Sequence, residues 1–237
     1  KCSKFRRFNF IRYRLWNSFQ SFKSFHQINC LQTLSTSAKN AINAVNAALP
    51  AYSNAVAARE AAFEPLSKLI TRVNNALKAT DTTEQVDESA KTLVRKIQGT
   101  RATAKKTEEE KAAEKAAGKE TKEISSSQMS YDSRLDNFDK LIKLLTSVTL
   151  YAPNEADLKV TALTTLYNDL KAKNTAVVTA TTPLSNARIS RNDILYKANT
   201  GLVDIALDTK TYIKSLYGAT SPQYKQVSKL EFKAVKA

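Results

Sequence analysis

Residues 42–77 read INAVNAALPAYSNAVAAREAAFEPLSKLITRVNNAL, and the spacing of their apolar side chains decides the fold class. The series Ile42, Val45, Leu49, Tyr52, Val56, Arg59, Phe63, Leu66, Ile70, Val73, Leu77 advances by alternating steps of three and four. Ten of these eleven positions are apolar, which is a heptad seam held over five heptads. Alanines fill the intervening positions and supply a helix-forming background that lets helices approach closely. A continuous helix over 36–79 would be about 65 Å long at 1.5 Å per residue. Pro50 and Pro65 predict kinks in it, because each removes a backbone donor and crowds the turn before it.

The same 3-4 spacing recurs downstream. Asp81-Thr82-Thr83-Glu84-Gln85 reads as a turn with capping-box chemistry, Thr82 bonding forward and Gln85 reaching back. A helix with Val86, Ala90, Leu93 and Ile97 on one face follows, and Gly99 is its expected stop. A third helix is expected over about 127–150 on the seam Tyr131, Leu135, Phe138, Ile142, Leu145, ending at Tyr151-Ala152-Pro153-Asn154. From Glu155 the spacing resumes through Val160, Leu163, Tyr167, Leu170, Val177, Leu184, Leu195, Leu202 and Ile205. Breaks are predicted near Pro183 and at Asn199-Thr200-Gly201. The tail after Gly218 is expected to be extended and to fold back through Tyr224, Val227, Leu230 and Phe232. These patterns predict an all-α protein: an elongated antiparallel helical bundle of about four long amphipathic helices. Four glycines and five prolines are too few for a sheet protein that must turn every few residues.

Two stretches stand apart from this pattern. Residues 1–34 form an aromatic and basic segment. Its first thirty residues hold seven basic residues and no acid, six of the nine Phe, the only Trp (Trp16), the only His (His26) and both cysteines, Cys2 and Cys30. Three readings stay open for it: a targeting segment, a membrane-surface or nucleic-acid-binding arm, and sequence foreign to the native fold. No continuous apolar h-region is present, and a cytoplasmic location is mildly favoured on that ground. The remainder, 35–237, is the helical domain, and residues 36–237 are expected to fold without the first thirty. Within it, 101–126 is a charged low-complexity excursion. Six Lys and six Glu alternate there between 105 and 123, as an exposed helix laced with ion pairs or as a mobile loop.

An internal duplication is a second open question. Ser53-Asn54-Ala55 and Arg59 match Ser185-Asn186-Ala187 and Arg191 at an offset of 132. That offset carries Phe63 onto Leu195, Leu66 onto Ala198, Ile70 onto Leu202 and Val73 onto Ile205. Convergent helical patterning would give the same match. The duplicated feature with chemical content is an arginine in the seam. Arg59 and Arg191 are the candidate site residues, a polar layer in the bundle seam, because a buried guanidinium needs carboxylates or carbonyls for its five donors. Asp132, Asp136 and Asp139 are the candidate partners. The competing reading lets each arginine snorkel to the rim of a rotated helix.

No Glu-x-x-His pair, phosphate-binding glycine loop, G-x-S-x-G or H-E-x-x-H occurs. Cys2 and Cys30 lack metal or redox spacing. No catalytic residue, metal site or cofactor is expected, and an enzyme is not the favoured class. The chain's +15 invites nucleic acid as a partner, but residues 31–237 carry only +8, dispersed among acids. The expected partner is another protein, or a second copy of the chain, meeting it through helices. Nucleic-acid binding and membrane activity are the alternatives, and no run approaches the roughly 18 apolar residues of a transmembrane helix.

The C-terminal stretch Lys214-Ser215-Leu216-Tyr217-Gly218-Ala219-Thr220-Ser221-Pro222-Gln223-Tyr224-Lys225-Gln226-Val227 resembles the tails of uncharacterised bacterial helical proteins. The resemblance implies a helical bundle of bacterial origin and brings no activity, ligand or site with it.

Overall fold

The computed structural model describes residues 28–100, 107–117 and 129–232. Among them the protein is all-helical: α1 (Ile28–Phe63), α2 (Leu66–Lys78), α3 (Glu84–Gln98), α4 (Glu108–Ala116), α5 (Tyr131–Ser147), a 3-10 turn (Ala156–Leu158), α6 (Val160–Tyr196), α7 (Leu202–Tyr217) and α8 (Pro222–Ser228). The readings of residues 1–27, including Cys2, Trp16 and His26, lie outside the described residues. Of the 101–126 excursion only 107–117 is described. It is helical at α4, where Glu109, Ala112, Ala113, Lys115 and Ala116 are exposed. The described residues fall into two compact units, one within 54–178 and one made of 28–53 with 179–232.

The central unit is built on the second half of the quoted seam. Phe63, Leu66, Ile70, Val73 and Leu77 are all buried there. They join Ala90, Val94 and Ile97 of α3, Leu135, Phe138, Leu141, Ile142 and Leu145 of α5, and Leu163 and Leu170 of α6 in one core. On α3, Ala90 and Ile97 are buried as expected, but Val94 rather than Leu93 lies between them in the core, and Val86 and Leu93 pack at its edge. Within this core α3 packs on both α2 and α5. The first half of the seam behaves differently. Ile42, Val45, Tyr52 and Val56 are half-buried, and Leu49 is 41% exposed.

Prolines act according to what their neighbours can do. Pro65 ends one helix and opens the next, standing at the N-cap of α2 with φ −74° and ψ −13°. Pro50 and Pro183 lie inside α1 and α6, which run on through them. The break expected at Pro183 is therefore absent. Asn46 and Thr179, four residues before each proline, are exposed, so water can take up the carbonyl that loses its helical donor.

Helix ends show similar local logic. The expected capping box does not form: Thr83, not Thr82, is the N-cap of α3 and makes no side-chain cap bond, and the Thr82 hydroxyl donates to Asp87 Oδ1 at 2.8 Å. Gly99 stops α3 in the left-handed region at φ +70°, where side-chain-bearing residues are strained. Ser130 caps α5 by accepting from the Ser133 N–H at 3.1 Å. After α5 the chain turns at Tyr151–Asn154 as expected. The buried Tyr151 hydroxyl donates to the Leu158 carbonyl at 2.9 Å and ties that turn to the start of α6.

The other unit has smaller clusters. Ala38, Leu195 and Leu202 form one, with Leu34, Ile42, Ile194 and Tyr196 around it. Ile213, Val227 and Leu230 form the second, edged by Tyr217, Tyr224 and Phe232. The α6–α7 turn at 199–201 is present, with Asn199 at φ +64° and its N–H bonded to Asp204 Oδ2 at 3.0 Å. A Cβ on Gly201 would collide with the Lys197 backbone, so only glycine fits there. The tail is not extended as expected. Ser221-Pro222 starts α8, with Ser221 Oγ accepting from the Tyr224 N–H and Pro222 in the first turn, where it has no hydrogen bond to lose.

The compositional change near residues 31–36 falls inside α1. Leu31 and Ser35 are buried, Leu31 to 3% exposure. A fragment 28–237 should therefore be more stable than a fragment 36–237, which lacks Leu31, by about 1.5–3 kcal/mol in chemical denaturation. Equal midpoints would show that the first two turns of α1 contribute nothing.

Burial holds the Tyr151 phenol protonated and pushes its pKa up to about 12, from 10.0. The unfolded chain releases this proton near 10, so the contribution of Tyr151 to stability is whole below that pH and is lost as pH rises toward 12. Tyr151→Phe should cost about 1 kcal/mol at neutral pH, because the Leu158 carbonyl loses its donor. The stability gap between wild type and variant should narrow with rising pH in that alkaline window, read by urea titrations at several pH values.

Candidate functional site: a polar layer around Arg59

Arg59 stands one turn before Phe63 on α1, on a seam position where its neighbours in the series are apolar. Its guanidinium is half-buried, and the unit meets it with two kinds of partner. Arg59 Nη1 donates to Asn174 Oδ1 of α6 at 3.1 Å. Asn174, only 7% exposed, passes the interaction on by donating from Nδ2 to Asp132 Oδ1 of α5 at 2.7 Å. The guanidinium carbon lies 3.9 Å from the centroid of the Tyr131 ring, a cation–π contact. Tyr131 in turn packs edge-on against Phe63, with ring centroids 4.8 Å apart and planes at 77°.

A second arginine extends the layer. Arg134, one turn after Tyr131 on α5, donates from Nη2 to the Phe63 carbonyl at 3.4 Å, and its guanidinium carbon lies 5.2 Å from the Phe63 ring centroid. Burial draws its pKa below the ordinary arginine value, with Tyr131 acting in the opposite direction. The Nε atoms of Arg59 and Arg134 are buried without a hydrogen-bond partner. Guanidinium groups hold their protons at neutral pH, so this layer does not move protons.

Of the three aspartates considered as partners, Asp132 reaches Arg59 through Asn174. Asp136 and Asp139 pair with Lys140 and Lys143 one turn along α5, at 2.7 and 2.6 Å. Arg191 lies in the other unit, half-buried on α6, and donates from Nε and Nη2 to the side chain of its neighbour Asn192 at 3.2 and 2.9 Å. The two candidate arginines therefore differ in surroundings: Arg59 joins three helices, while Arg191 bonds locally. Asn174, Tyr131 and Arg134 were not singled out from the sequence. Asn174 had a signal, since the series Leu170, Asn174, Val177 keeps the 4-3 spacing and places an amide on a seam position.

Elsewhere in this unit two grooves are open to solvent. One, of about 950 Å³, has Glu84 and Glu88 on one wall, Lys140 and Lys143 on the other, and Leu93 and Leu144 between them. The second, of about 560 Å³, lies beside Arg72, Asn75, Thr80 and Tyr151. There Arg72 donates in a forked pair to Asp157, which holds the Asp157 carboxyl below its usual range. Among the described residues no group of three His, Cys, Asp or Glu side chains is placed to hold a metal ion.

Compared with known proteins, the chain matches no family model, no curated protein and no solved structure.

Asn174→Leu should destabilise the protein by about 1–3 kcal/mol in urea denaturation, because Arg59 keeps its buried charge and loses its acceptor. Arg191→Ala should change stability by less than about 0.5 kcal/mol. Similar losses at both positions would mean that the layer has no special role in the central unit.

Proposed function

We propose that the protein is a non-enzymatic structural or protein-interaction module that joins a partner protein, or a second copy of itself, through its helices. The observation that carries this reading is on α6. Val178 and Ile189, one in each unit, are 62% and 58% exposed on that helix. Leu49 of α1 and Leu207 and Leu216 of α7 are exposed as well. Single exposed apolar residues are ordinary, but several spread over α1, α6 and α7 are apolar surface of the kind through which helices associate. The Arg59 layer supports the reading from inside: a polar group on a seam position sets which helices pair and in which register.

The bundle of about four long antiparallel helices, and its origin by duplication, belong to the same proposal. Phe63 and Leu195, Ile70 and Leu202, and Val73 and Ile205 are pairwise buried at the offset of 132, which favours duplication. Leu66 and Ala198 differ, one buried and one exposed in the α6–α7 turn. Nucleic-acid binding has less support, because Arg72, Lys91, Lys140, Lys143 and Lys173 are engaged with carboxylates. Among the described residues no helix is long and apolar enough to cross a membrane.

Sedimentation velocity over a range reaching about 100 μM tests the self-association arm. The wild type should associate, and the double variant Val178→Glu with Ile189→Glu should weaken association at least about tenfold while melting like the wild type, since both sites are exposed. Saturable DNA binding that falls steeply with salt would overturn the reading in favour of nucleic acid.

A further inference from the structure

The last described helix, α8, has seven residues, fewer than a helix needs to persist alone in water. It is held against α7. The contact has an apolar centre and two cationic flanks. Val227 is 0% exposed and Leu230 is buried, both against Ile213 of α7. The Lys210 ammonium, one turn before Ile213, donates to the Ser228 carbonyl at 3.1 Å and to the Leu230 carbonyl at 2.8 Å. A cation at these carbonyls answers the unpaired acceptors and the negative dipole at the C-terminal end of a helix. Lys214 lies 5.8 Å from the Tyr224 ring centroid, and Lys210 lies 6.0 Å from that of Phe232. The link back to α7 is short and exposed: Gly218, at φ +81°, has no atom within 4 Å of where a Cβ would stand.

We propose that the stripe Lys210, Ile213, Lys214, Tyr217 on α7 is a helix-docking surface, and that residues 222–232 are a detachable strap occupying it in cis. Its occupant in trans is a short helix from a partner protein with three features copied from the strap. An aromatic side chain in the first turn lies against Lys214, an aliphatic side chain three residues later covers Ile213, and carbonyls or a carboxylate at the C-terminal end meet Lys210. Leu207, exposed on the same helix beside this stripe, extends the apolar strip for an occupant longer than the strap. The strap stands whatever Val178 and Ile189 do; only the identification of the occupant as a protein rests on the function proposed above.

The test uses the full-length chain. Val227→Asp places a carboxylate at a fully buried position and should eject the strap while leaving the α7 stripe intact. In hydrogen exchange, amides 224–230 should then exchange at least about tenfold faster than in the wild type, with Ile205–Thr209 unchanged. A fluorescent peptide of residues 219–232 should bind this variant saturably and the wild type at least about tenfold more weakly, since the wild-type strap competes for the site. Adding Lys210→Met to the variant should weaken the peptide about tenfold, because the methionine keeps the stem and lacks the donors. Several results would overturn the proposal: equal peptide binding by wild type and Val227→Asp, no binding by a variant whose strap is open, or loss of protection across α7. Dimers of the variant that exclude the peptide would also overturn it, showing a second copy to be the occupant. The wild type decides one point alone, for a strap that exchanges only as fast as Ile205–Thr209 is not detachable.

Discussion

A guanidinium on an apolar helix seam has to be met by acceptors or aromatic faces before neighbouring helices can close over it, and Arg59 sets that condition for the central unit. The amide of Asn174 meets it from α6, and the ring of Tyr131 meets it from the first turn of α5. Because Asn174 also donates to Asp132, a shift of α5 or α6 by one turn would break two polar contacts at once. An apolar core tolerates such slips better than a hydrogen-bonded one, since hydrophobic contact is not directional. The large cluster of Phe63, Phe138, the leucines of α5 and Leu163 supplies most of the driving force. The Arg59 layer adds directional contacts that the apolar cluster lacks.

That division of labour explains what was legible in the sequence. Periodicity located Phe63, Leu66, Ile70, Val73 and Leu77 in the core, because burial of a helix face imposes its period directly. It could not tell that Ile42 to Val56, with the same spacing, would be only half-buried, because that depends on what lies opposite. Pro183 was read as a break and is not one. Whether a proline stops a helix turns on whether the carbonyl four residues earlier can reach water, and Thr179 is exposed. Arg59 could be flagged by its place in the seam, yet its partner could not be chosen among three aspartates. The answer was an amide between arginine and carboxylate, a geometry that no spacing rule encodes. The α8 helix was missed for a simpler reason: Ser221-Pro222 is as good a helix start as it is a loop signal, and only contact with Ile213 decides between them.

The two units differ in the size of their described clusters. In the central unit one core gathers residues from α1, α2, α3, α5 and α6. In the other, the described clusters are smaller, and Leu31, Leu184, Val203, Ile205 and Ala206 are buried outside them. Large apolar side chains face solvent in both units, Leu150 and Val178 in the central one and Ile189, Leu207 and Leu216 in the other. The cluster of Ile213, Val227 and Leu230 that holds α8 is small, and an element resting on so few contacts can open locally before the whole unit unfolds. An interaction surface is best placed where opening costs least, which is the physical link between the modest packing around α7 and α8 and the role proposed for it.

Charge narrows the kind of partner further. The formal +15 suggests a polyanion, but among the described residues a number of basic side chains already have partners. Several are neutralised one turn away by Asp136, Asp139, Glu88 or Asp169. Lys210 turns inward to backbone carbonyls, and burial lowers its pKa against the opposing pull of Glu231. A phosphate backbone is recognised by many mobile cations summed along a face, whereas a partly buried ammonium held between two carbonyls recognises acceptors at one place. Cations used in this second way favour a folded partner with defined geometry, and a helix end presents acceptors of that kind.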